Sequence, residues 1–251
     1  MEDRGPLLRV SARDVLAVML MVGVALIVLH LAANRLAYGG GPKINPRYEG
    51  YLFLDADHEA SLPTWWQQTV LAVCAGLALI LGAERSATGK PERRHWIGLG
   101  LILLFLSVDE GTQIHERLTT PVRDALGVDG GLLYYAWVLP AALLLGLFGL
   151  AFFRFWQRLP ARARWVLAAA GGADVGGGLV GGALGGAYEA EHGKDFGYTA
   201  ITAVEEGFEM LGQALLTYAL LTLLAVRERV VAVSFSLHGD VEVDRSEVVC
   251  G

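Results

Sequence analysis

The chain is 251 residues long, 54% hydrophobic and 18% charged, with a formal net charge of -6 and a mean hydropathy of +0.45. So apolar a composition excludes an ordinary soluble domain and indicates a membrane protein, and the acidic balance offers no basic surface for nucleic acid. Its two cysteines, Cys74 in an apolar run and Cys250 beside the C-terminus, exclude a disulfide framework and lack metal-ligand spacing.

Arg4, Arg9 and Arg13 precede the 19-residue run "VLAVMLMVGVALIVLHLAA". A signal-peptide core runs about 7–15 residues, so a retained membrane anchor is expected. From there, six segments can each cross about 30 Å of hydrocarbon at about 1.5 Å per residue. They are residues 15–37, 65–83, 96–117, 132–154, 165–188 and 200–226. None has the alternation of a barrel strand, so each is expected to be a helix that satisfies its own backbone in lipid. The expected fold is an all-α polytopic transmembrane bundle over 1–229, followed by a short tail, 230–251. In that tail "VSFSLHGDVEVD" alternates about Gly239-Asp240 and suggests a small β-hairpin.

Charge sets the expected orientation. Fourteen of the 20 basic residues fall in the N-terminus, the second and fourth loops and the tail, which places both termini in the cytoplasm. All six tryptophans stand near span ends, as interfacial aromatics do. The fifth span, "AAAGGADVGGGLVGGALGGA", carries two rows of glycines at four-residue spacing, Gly177, Gly181, Gly185 and Gly178, Gly182, Gly186. Such rows let helices approach closely, and a homo- or hetero-oligomer through this helix is one expectation. Gly176–Gly181 also reads G-x-G-x-x-G, but no strand precedes it, so it signals no nucleotide site.

Acids gather at one end. "VDEGTQIHERL" (108–118) closes the third span with Asp109, Glu110 and Glu116, and "TAVEEGFEMLGQ" (202–213) brings Glu205, Glu206 and Glu209 to a similar depth on the last span, which runs the other way. Asp109, Gln113 and Glu116 would share one face of a continuous helix, while Glu209 neighbours Glu205 and Glu206 and has Gln213 one turn below. A carboxylate at the bilayer centre costs roughly 2.5–3.5 kcal/mol, so these side chains are expected to face the bundle interior, with the two acidic helices in direct contact. Glu189, Glu191 and His192 end the fifth span, and Asp55, Asp57, His58 and Glu59 precede the second. His30 and His95 read as packing and topology residues, and Asp174 in the fifth span fits either role.

"LDADHEASLPTWWQ" (54–67), "LSVDEGTQIHERL" (106–118) and "TAVEEGFEMLGQALLTYALL" (202–221) resemble the signature segments of an uncharacterised family of bacterial polytopic membrane proteins. The resemblance implies that Glu59, Asp109, Glu110, His115, Glu189, Glu205, Glu206 and Glu209 belong to a shared pattern. Hard oxygen donors on helices with a nearby His suit a divalent metal ion, whether the site is catalytic or not. The alternatives are proton or cation transport through the same acids, and a non-catalytic membrane partner or assembly subunit. Zincin, P-loop and nucleophile-elbow motifs are absent from the sequence.

Overall fold

The computed structural model describes residues 11–38, 46–87, 92–128 and 130–225. Seven α-helices are present among them: α1 Ala12–Tyr38, α2 Leu62–Ala87, α3 Arg93–Thr112, α4 Thr119–Leu126, α5 Val138–Gln157, α6 Ala161–His192 and α7 Phe196–Ala225. The expected hairpin and Cys250 lie outside the described residues.

Local chemistry explains several ends. Ser11 Oγ accepts the Asp14 N–H at 3.1 Å while Asp14 takes the Ser11 N–H, a reciprocal cap that starts α1. Asp195 Oδ1 accepts the N–H groups of Gly197 and Tyr198 and starts α7. Gly193, at φ +74°, stops α6.

Among the described residues, five helices are long and apolar enough to cross a membrane, and α3 together with Glu116–Leu126 makes a sixth if that bent pair is one span. The pair turns by 73°, so the straight helix expected over 96–117 is corrected to a broken one. Helix α3 stops at Thr112 because Gln113 enters the left-handed region at φ 55°. The Asp109 carboxylate then takes the His115 N–H (2.9 Å) and its ring Nδ1 (2.8 Å), replacing the helical bonds that are lost. Glu116 consequently leaves the Asp109 face and is exposed.

Helix α7 is the hub. It packs on α6, α1 and α2, while α3 packs on α2 and α5 on α6. The expected direct α3–α7 pairing is therefore also corrected, because α2 stands between them. The glycine rows of α6 are filled within the chain. A Cβ added at Gly177 would meet Phe208 Cβ at 2.9 Å, and one at Gly181 would meet Glu205 Cβ at 2.6 Å; Gly178 abuts Glu209 and Gly186 abuts Tyr135. Small residues thus admit both the α7 backbone and its acidic side chains. The tightest crossing is on α7, where a Cβ at Gly212 would lie 2.5 Å from the Asp174 backbone N.

The apolar core fills the end of the bundle near the basic loops. Leu81, Trp96, Leu220 and Leu223 are buried there, joined by Phe155, with the Trp96 and Phe155 rings edge-to-face at 5.0 Å. Leu143, Leu144, Leu147 and Leu150 of α5 are exposed and form an apolar stripe. Opposite the core lies the polar end.

Candidate functional site

Three helices and one loop bring acids into a common space that runs from the polar end toward the middle of the bundle. Glu59 comes from the loop before α2, Glu110 from α3, Asp174 from α6, and Glu205, Glu206 and Glu209 from α7. Glu110 is within electrostatic reach of Glu59 and Asp174. Glu206 is within reach of Glu110 and Glu205, and Glu209 of Glu206, Glu110, Asp174 and Glu205. All six are partly shielded. By helical rise, Glu209 lies about 20 Å from Phe196, and Asp174 about 20 Å from Ala161, so both stand near the middle of their helices.

Amides meet three of these acids. Gln67 on α2, fully buried, donates its Nε2 to Glu206 Oε2. Gln213 on α7 donates Nε2 to Gln67 Oε1 at 3.0 Å and its amide reaches Asp174. Gln113, freed by the break in α3, hydrogen-bonds Glu59. The Gln68 side chain fills the space left by Gly111, and its backbone carbonyl accepts the Ser107 hydroxyl at 2.7 Å. An amide carries both donor and acceptor, so it serves a carboxylate or a carboxylic acid by turning over.

Other acids are engaged elsewhere. Asp109 is tied to His115, whose ring meets Trp137 edge-on at 4.6 Å. Glu189 accepts the Tyr135 hydroxyl, and Tyr135 also approaches the Tyr198 hydroxyl at 3.2 Å. Tyr198 donates to Asp57 Oδ1 at 2.7 Å, and Lys194 pairs with Asp57 Oδ2 at 2.6 Å. This clamp joins the loop before α2 to the α6–α7 turn. Burial works against the Lys194 charge, but Asp57 outweighs it and holds the ammonium above its ordinary range.

His30 is a buried structural residue, in line with its sequence reading. Ala56 N–H points to its Nδ1 at 2.9 Å, which requires a lone pair there and assigns the proton to Nε2, facing the Thr199 carbonyl. Asn34 then serves as the donor to Asp55 Oδ1, at 3.2 Å. The lock fixes the loop that carries Asp57 and Glu59 onto α1 and α7.

Of the eight residues of the sequence pattern, Glu59, Glu110, Glu205, Glu206 and Glu209 converge, whereas Asp109, His115 and Glu189 sit at the rim with partners of their own. Among the described residues, no group of three or more His, Cys, Asp or Glu side chains is arranged to hold a metal ion. Sequence reasoning missed Gln67, Gln68, Tyr135 and Tyr198. The first two had a signal, adjacent amides in the apolar run "PTWWQQTVLAV".

Glu59 lies outside the apolar helices and carries a measurable consequence. Burial, reinforced by the Glu116 charge, pushes its carboxyl up from 4.5 to about 7 despite the Gln113 hydrogen bond. A raised acid binds more protons folded than unfolded, so its contribution to stability is complete below pH 4.5 and is lost as pH rises through about 7. Denaturation followed across that window should show this slope in the wild type and a flatter one in Glu59→Gln. Equal slopes would remove Glu59 from the titrating set.

No curated protein matches the chain, and no solved structure does. A family model described as Domain of unknown function (DUF8692) matches residues 15–224, and the chain belongs to that family.

Proposed function

We propose that this protein is a membrane-embedded proton-binding protein of the transporter type, whose acidic chamber takes up and releases protons from the polar end of the bundle. The observation that supports it is a group of six neighbouring carboxyl groups, three of which meet amides: Glu206 with Gln67, Asp174 with Gln213 and Glu59 with Gln113. Clustered carboxylates in a weakly polar interior are relieved by a base, a cation or shared protons. The described basic groups near the site have partners at its rim: Lys194 holds Asp57 and His115 holds Asp109. Shared protons fit what remains, and amides accept either protonation state.

Closure of the other end by Leu81, Trp96, Leu220 and Leu223 makes this a state loaded from one side. The basic-residue bias supports an orientation with that loading side away from the cytoplasm. Glu59, titrating near neutrality at the mouth, would be the first group to meet protons from that side.

Chelation separates this reading from a bound divalent ion. A cation held only by the folded state stabilises it by about 2.7 kcal/mol at a hundredfold excess over its Kd. Purified protein stripped with EDTA should therefore keep its thermal midpoint. A midpoint that falls on stripping and is restored by one divalent ion would overturn the proton reading in favour of a metal site.

A further inference from the structure

Building on the proton-chamber reading, we propose that Gln213 and Gln67 couple the protonation of Asp174 to that of Glu206, so that the two acids favour loading and unloading together. Gln213 is 2% exposed, and its Oε1 is buried with no hydrogen-bond partner. Its contact with Asp174 is thus assigned to the Nε2 side, the same group that donates to Gln67 Oε1 at 3.0 Å. Gln67 in turn directs its own Nε2 at Glu206. The N–H groups that link this row point at Gln67 Oε1, Glu206 and Asp174, which suits ionised Asp174 and ionised Glu206, and the orphaned Gln213 Oε1 is left over.

Turning both amides over gives the complementary row. Gln213 Oε1 then faces Asp174 and Gln67 Nε2, and Gln67 Oε1 faces Glu206. That arrangement needs a proton on each acid, whose O–H groups become the donors. With one acid protonated and the other ionised, either an amide oxygen faces a carboxylate, or the protonated acid takes the N–H on its C=O and its O–H goes without the amide acceptor, so the mixed states lose a hydrogen bond in a buried place. No proton passes through the amides; they transmit only their orientation.

Coulomb repulsion alone acts in the opposite sense. Removing one charge weakens proton binding at its neighbour, and the acids then titrate in separated steps. Asp174 faces Glu209 on α7, Glu110 on α3 and Cys74 on α2, while Glu206 faces Glu110, Glu205, Glu209 and Asp57. These neighbours remain when an amide is removed, so the amide contribution is separable from theirs.

The test is infrared difference spectroscopy of the full-length protein during a pH titration, with the carboxyl bands of Asp174 and Glu206 assigned from Asp174→Asn and Glu206→Gln. In Gln213→Leu the separation between the two midpoints should widen by about one pH unit or more relative to wild type, and Gln67→Leu should do the same. In wild type carrying isotope-labelled glutamine, side-chain amide bands should change in step with both acids, a readout that needs no variant to fold. Unchanged separation with silent amide bands, while the acids still titrate, overturns the coupling alone. If no carboxyl band changes through neutrality, the proton-chamber reading falls and the coupling with it.

Discussion

Gly212→Ala is expected to be strongly destabilising. Glycine to alanine inside a helix ordinarily gains roughly 0.5–1 kcal/mol. At Gly212 the new Cβ would stand 2.5 Å from both the backbone N and the Cβ of Asp174, and 2.7 Å from the Ala170 carbonyl. Backbone cannot rotate aside as a side chain can, so α6 and α7 must move apart along their most extensive contact. Overpacking of this kind costs about 1–3 kcal/mol and at times more. Gly176 is the matched control, because nothing lies within 4 Å of a Cβ built there. Thermal unfolding of both variants should show a clear loss for Gly212→Ala and none for Gly176→Ala. Equal midpoints would mean that α6 and α7 do not cross as described.

The second large effect runs the other way. Glu209 sits among Glu206, Glu110, Asp174 and Glu205, against Gly178, near the middle of α7. An amide of the same shape removes its charge from that group while keeping its hydrogen-bonding capacity. Glu209→Gln should raise stability, by about 1 kcal/mol or more, as often follows when a strained functional group is neutralised. For a chain of this size that is roughly 2–4 °C in thermal midpoint. A fall of the same size would indicate that the Glu209 carboxylate is satisfied by a partner, and the account of a repelling cluster would fail.

Much of this was legible in the sequence. Span length and hydropathy marked the helices, because lipid leaves the backbone no other way to satisfy itself. The acids of "EEGFEMLGQ" announced an interior face, since their insertion is costly. The break after Thr112 was not legible. It depends on Asp109 folding back onto His115, and nothing in local periodicity favours Gln113 for a left-handed turn over a continued helix. The position of α2 between α3 and α7 was hidden for a related reason. Depth and facing direction are properties of one helix, whereas adjacency is decided by packing, in this chain by where Gly82, Gly100, Gly177 and Gly212 let neighbours approach. Asp174 stayed ambiguous in a glycine-rich run because its meaning lies in Gln213, on another helix.

Proton counting tests the central claim most directly. Purified wild-type and Glu209→Gln protein, titrated side by side in the same unbuffered detergent solution with chelator present, should differ in protons taken up through neutrality. Wild type is expected to take up more, because in the proposed chamber Glu209 would share protons with the acids around it. Coincident curves would contradict a proton-binding chamber, as would a wild-type curve that releases protons when one divalent ion is added.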